Sequence, residues 1–206
     1  QLQNRQQQGR DGVWLDLPTT TEQVQAALRQ IGISSDNPQG LFISGYFAEE
    51  EKRFAIPYNM VLASNVDELN FLASRLETLS AGERAELNAA LQAPQSELSS
   101  IGRITDFPEN VDYYVHLPEV HGPAQLGDYY LNRSGMVDMP EEWKGGIDTA
   151  QFGRYVAQQE QGVFTQYGYL VKSGDEWQKV HEGQPVPEEY RVLSFPASEI
   201  LRDAAN

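Results

Sequence analysis

Between residues 65 and 92, apolar positions recur at three- and four-residue intervals: Val66, Leu69, Leu72, Ala73, Leu76 and Leu79, then Leu87, Ala90 and Leu91. That spacing lays an apolar stripe along one face of a helix. Asn65 is placed to cap a first helix, with Glu68 three residues on, and Ser80 repeats the device with Glu83. Two consecutive helices are predicted, the second stopped by Pro94. Upstream, the pattern shortens to runs of strand formers separated by turns. Residues 12–17 (GVWLDL), 41–47 (LFISGYF) and 54–62 (FAIPYNMVL, broken by a proline) are predicted strands. Between the first two lies a helix, capped by Thr19 with Glu22, striped by Val24, Ala27, Leu28 and Ile31, and ended at Gly32.

Downstream, residues 94–102 read as a connector with one short helix. Residues 103–143 are the least regular part, with prolines at 108, 118, 123 and 140. Residues 124–131 are a predicted helix there, and Pro140 opens a short one at 141–143. Asp148 caps a helix running to about Glu160, with Phe152, Tyr155 and Val156 facing inward and Gly162 ending it. Residues 163–172 read as one strand, 173–176 as a turn, and 177–180 as its returning partner. The tail reads as an edge strand at 190–195 and a terminal helix. The Gln-rich residues 1–10 read as a frayed lead-in without the apolar core of a secretory signal. The pattern is that of an α+β protein, elongated, in three small modules: residues 11–63, 64–102 and 103–206.

Composition narrows the chemistry. The chain has 206 residues and no cysteine, which excludes disulfides, thiolate metal sites and Cys nucleophiles and suits a reducing cytoplasm. No apolar run reaches the roughly 18 residues of a membrane helix. Thirty acidic residues face 15 basic ones, a net charge of −15. A nucleic-acid-binding domain needs a basic face, and an anionic membrane would repel this one. The acids do not form a tail. Seven lie between Asp11 and Arg53, six between Asp67 and Glu97, eight between Leu98 and Glu142, two from Trp143 to Ser173, and seven beyond. They fall in turns and on outer faces along the whole chain.

Phosphate loops, GxGxxG, HExxH and GxSxG are missing. His116, Glu119 and His121 have the look of a metal set, but Pro118 forbids the helix that would align them, so loop histidines are the better reading and no metal or cofactor is expected. Carboxylate pairs such as Glu141–Glu142, Glu188–Glu189 and Asp106–Asp112 leave an acidic glycoside-type hydrolase as one alternative. Tyr113–Tyr114 and Tyr129–Tyr130 suit stacking on sugars or bases, or a half-buried core or interface. A non-catalytic adaptor that binds a protein partner is the other alternative.

Three segments in order carry a family resemblance: GVWLDLPTTTEQVQAALRQIGI near the start, DELNFLASRLETL followed by ERAELNAAL in the middle, and IDTAQFGRYVAQQEQGVFTQYGYLV near the end. Across residues 11–172 the chain resembles the ArdA antirestriction proteins. The resemblance implies a non-enzymatic, elongated DNA mimic from a mobile genetic element such as a conjugative transposon. It implies cytoplasmic action on the methyltransferase core of type I restriction-modification enzymes, blocking cleavage. It also implies a homodimer formed through the last module, where Tyr113, Tyr114, Tyr129 and Tyr130 are candidate contacts. The tail after Lys172 departs from the family pattern.

Such a mimic needs fixed carboxylates that project from turns. Glu49, Glu50, Glu51, Asp106, Glu109, Asp112, Glu119, Asp128, Asp138, Glu141 and Glu142 occupy such positions. Duplex DNA carries one charge per about 1.7 Å, so the acids of a dimer suffice for about 100 Å of duplex, about 30 base pairs. Direct nucleic-acid binding is not expected.

Overall fold

Side-chain caps fix the N-terminal ends of the longer helices. The computed structural model describes residues 1–7, 11–34, 38–94 and 96–193. In chain order its elements are β1 (Leu2–Asn4), α1 (Thr21–Gln30), β2 (Leu41–Ile43), α2 (Tyr58–Leu62), α3 (Val66–Glu77), α4 (Ala81–Gln92), α5 (Ile101–Thr105), β3 (Tyr114–Leu117), α6 (Pro123–Asp128), α7 (Glu141–Lys144), α8 (Thr149–Glu160), β4 (Val163–Thr165) and β5 (Gly168–Lys172). β1 pairs antiparallel with β2, placing Gln3 opposite Phe42. The second sheet has the order β3-β5-β4, also antiparallel, with His116 opposite Leu170 and Phe164 opposite Tyr169. The fold class is α+β, as the hydrophobic pattern predicts.

The chain divides into two compact units. The first takes Gln1–Thr78, Ser99–Pro108 and the chain from Lys179 to the end of the described residues; the second takes Leu79–Leu98 and Glu109–Gln178. Of the two consecutive helices, α3 belongs to the first and α4 to the second.

The first unit buries Val24, Ala27 and Leu28 of α1, Val66, Leu69, Phe71, Leu72 and Leu76 of α3, and Ile101 and Ile104 of α5. These are the apolar stripes of amphipathic helices, and their burial drives the packing of α3 on α5. Buried Asn70 ties the unit together. Its Oδ1 accepts from the Thr19 amide at 2.7 Å, and its Nδ2 donates to the Tyr190 carbonyl at 3.0 Å.

The second unit is centred on Val120, Leu126, Ala157 and Tyr169, with Leu117, Tyr129, Tyr130, Val156, Phe164 and Val171 packed around them. α6 and α8 cross so closely that a methyl group on Gly127 would overlap the Thr149 carbonyl oxygen, and one on Gly153 would overlap that of Pro123. α4 packs on β5.

Several elements differ from the sequence-based expectation. Residues 2–4 are not frayed but form β1. The strand at 12–17 shrinks to Val13, which exchanges both backbone bonds with Leu2 at 2.8 and 2.9 Å. The strand at 41–47 shrinks to β2. The capping box of α1 sits one residue later than expected, with Thr20 and Gln23 in place of Thr19 and Glu22. The strand expected at 54–62 is instead the helix α2. Pro57, at φ −56°, precedes its first turn, where its missing N–H is no loss and its carbonyl accepts from Met60 and Val61.

β3 was not expected at all: its four residues lie in a stretch whose prolines mask the pattern. Residues 163–172 form a hairpin, β4 and β5, because Gly168 takes φ +111°. Residues 177–180 are not its partner strand; β5 is already flanked by β3 and β4. α8 ends on Gln161 in the left-handed region, at φ 56°, and not on Gly162. It turns Gly153 and Ala157 inward and leaves Tyr155 exposed. Ser80 and Glu83 make the full predicted box on α4. Asn65 caps α3, but the Glu68 carboxylate takes the Ser64 hydroxyl instead of answering the cap. At 190–193 no strand forms, and the terminal helix lies outside the described residues.

Candidate functional site

The acidic positions of the second unit are fixed by a backbone clasp. Asn110 is buried; its Oδ1 accepts from the Gln178 amide at 2.7 Å and its Nδ2 donates to the Gln178 carbonyl at 2.9 Å. The Tyr113 carbonyl accepts from the Ser173 amide and hydroxyl at 2.9 and 3.1 Å. The rings of Tyr113 and Trp177 meet edge to face, 5.2 Å apart. The clasp brings residues 109–113 beside 175–178 around a cleft of about 270 Å³. Glu109, Asp112, Asp175 and Glu176 stand exposed at its rim. The Ser173 hydroxyl also bonds the Asp175 carboxylate, at 3.2 Å. Asp175 and Glu176 belong to this face but were missed in the sequence, where they read only as a turn.

Glu86 lies on α4, with one carboxylate oxygen buried and without a hydrogen-bond partner. Burial pushes its pKa up to about 8, and the carboxylates of Glu83 and Asp112 add to the shift. Near neutral pH this acid is largely protonated and adds little negative charge.

Other expected positions are exposed but locally screened. Arg133 lies 3.6 Å from Asp128 and 3.9 Å from Glu119, and Lys144 lies 2.6 Å from Glu141. Asp138 and Glu142 are exposed. In the first unit Glu49, Glu50 and Glu51 project from a short 3-10 turn, with Lys52 at 3.5 Å from Glu49. Surface pairs of this kind contribute little and dissolve in salt.

Asp106 does not belong to this surface. It is completely buried, and its carboxylate accepts from the amides of Val180, His181 and Glu182 at 3.2, 2.6 and 3.2 Å. Its place at the end of α5 looks like a turn in sequence. What was invisible is the far segment that supplies its three donors.

The tyrosines are also turned inward. Tyr113 and Tyr114 are buried, ring against ring at 4.8 Å, so they do not offer an open contact face. Tyr129 and Tyr130 pack against the core of the second unit. The hydroxyls of Tyr130 and Tyr169 both donate to the Glu160 carboxylate; burial first, and then this bond, raises the pKa of each phenol. His116 is not a loop residue: it lies in β3, where its Nε2 meets the Tyr167 carbonyl at 2.7 Å and must donate to it, leaving that nitrogen no lone pair for a metal.

The family model for antirestriction protein (ArdA) matches residues 8–171. The chain belongs to the ArdA antirestriction family. Comparison with curated proteins gave no match. Membership carries an antirestriction role, and so a restriction enzyme as protein partner. Among the described residues, no helix is long and apolar enough to cross a membrane. Beyond the family match, residues 172–178 belong to the second unit and the chain from Lys179 to the first; there, besides the three amides on Asp106, those of Val192 and Leu193 donate to Asp67 at 2.8 and 3.0 Å.

Proposed function

We propose that this family member is a non-catalytic DNA mimic that enters the DNA-binding channel of a type I restriction-modification enzyme and excludes DNA. The observation that carries this reading is the exposure of fixed carboxylates: Glu109, Asp112, Asp175 and Glu176 around one cleft, and Glu49, Glu50 and Glu51 on one turn. Asn110, Ser173 and the 3-10 turn hold their backbones in place, so little ordering entropy is lost on binding. The channel of a DNA-binding enzyme gathers lysines and arginines against phosphates. An acidic face reaches them by the same long-range attraction and releases the same counterions. The target surface is the methyltransferase core, which both cleavage and methylation need. The working form is a homodimer, whose two copies double the acidic face.

The test is the plating of unmodified phage on hosts that carry a type I or a type II restriction system, with and without this protein. Relief of restriction in the type I host alone is the expected result. No relief in hosts of any type I family would overturn the target assignment.

A further inference from the structure

The first unit exposes three large aromatic rings in one place. Trp14 is 58 % exposed, Phe47 70 % and Tyr58 52 %. Trp14 and Phe47 meet edge to face, with centroids 6.5 Å apart. Gly45 forms the floor: a methyl group there would lie 3.5 Å from both the Trp14 ring and the Tyr58 hydroxyl. That hydroxyl donates to the Ser44 carbonyl at 3.4 Å, which fixes the third ring. Clustered exposed rings of this kind mark interaction surfaces.

The flanks are acidic. Asp16 is exposed two residues from Trp14, and the exposed run Glu49–Glu50–Glu51 begins two residues from Phe47. Two residues of extended chain span at most about 7 Å, which keeps Asp16 near Trp14 and Glu49 near Phe47; Lys52 pairs with Glu49 at 3.5 Å and leaves the run net acidic. A second copy of this chain fits the patch poorly, because a two-fold contact would set those carboxylates against each other. An anionic lipid surface is repelled for the same reason.

We infer that Trp14, Phe47 and Tyr58, with the adjoining carboxylates, form an anchor for arginine side chains on the DNA-contacting surface of the target enzyme. A guanidinium stacks on an aromatic face while its edge pairs with a carboxylate, a combination that lysine matches poorly. The anchor rests on the mimic reading above and adds to it an affinity component that salt does not screen, because ring contacts, unlike exposed ion pairs, are short-ranged.

The test is displacement of labelled duplex from a purified type I methyltransferase, at several salt concentrations, by three forms of the full chain. These are the wild type, a Trp14→Ala/Phe47→Ala variant, and a Glu49→Gln/Glu50→Gln/Glu51→Gln variant. The substituted residues are exposed, so folding is retained, and urea midpoints verify it. The aromatic variant should compete about tenfold more weakly at every salt concentration, with the wild-type salt slope. The glutamine variant should lose up to about three units of that slope. Phe47→Lys, which keeps an exposed position but adds repulsion, should weaken competition at least as much as Phe47→Ala. Wild-type displacement that the aromatic variant matches would overturn the anchor and leave the mimic reading standing. A wild type that displaces no DNA would overturn both. Sedimentation that shows self-association of the wild type, lost in the aromatic variant, would give the patch to a second copy and overturn the anchor.

Discussion

Acidic residues at two places in the molecule are put to opposite use. In the first, Asp106 and Asp67 turn toward the C-terminal segment and accept five of its backbone amides. In the second, Glu109, Asp112, Asp175 and Glu176 remain outside while a neutral side chain, Asn110, fastens the segment that bears them. A carboxylate turns inward where unsatisfied amides await it, and stays in water where an amide side chain has taken that role. The size of an anionic face therefore follows from where the donors are, and a count of acidic residues overstates it.

The largest expected effect breaks the second unit without touching a charge. Gly153→Ala forces a methyl into the Pro123 carbonyl across the α6–α8 crossing, so the helices must separate. The loss should be about 3 kcal/mol, seen as a lowered urea midpoint. An unchanged midpoint would mean that the crossing is looser than it stands here.

Next comes a matched pair. Asp106→Ala removes a buried carboxylate that accepts three backbone amides and should cost about 2 to 3 kcal/mol. Asp112→Ala, at an exposed carboxylate, should change stability by less than about 0.5 kcal/mol. Equal effects in urea unfolding would erase the distinction between the two sites.

Glu86 supplies a pH test. Its folded pKa, about 8, lies above the ordinary value of 4.5. The fold thus favours the protonated acid. Its contribution is complete below about pH 4.5 and is lost as pH rises through 8. Glu86→Gln should remove that decline and stabilise the protein at pH 9 by about 1 to 2 kcal/mol, after allowance for solvent screening. Thermal melts of both forms from pH 5 to 9 that run parallel would contradict it.

The smallest effect is at single surface charges. Glu109→Gln or Glu141→Gln should weaken displacement of DNA less than about threefold, because many weak contacts share the attraction. A single neutralisation that abolished activity would point to a catalytic carboxylate, and so to the hydrolase alternative.

Much of this was legible in the sequence where the signal is local. The Ser80–Glu83 box, the Asn65 and Asp148 caps and the stripe of α3 need only a few neighbouring residues, and all are present. The strands were harder. β1 and β3 are three and four residues long, and their pairing depends on partners 41 and 58 positions away, Ile43 for Leu2 and Lys172 for Tyr114. The site divides in the same way. Glu49, Glu50 and Glu51 are exposed because their own turn exposes them. Asp106 is buried because residues 180–182 return to it, which no local pattern reveals. Tyr113 and Tyr114 read as a contact surface until Trp177 and the sheet enclosed them.

The central claim is that exposed, fixed carboxylates compete with DNA for a restriction enzyme. The most direct test is titration of the wild-type chain against a purified type I methyltransferase bound to labelled duplex, from low to physiological salt. The account predicts displacement whose logarithmic affinity falls linearly and steeply with the logarithm of salt concentration. Absence of displacement at low salt, or displacement that salt does not alter, would contradict it.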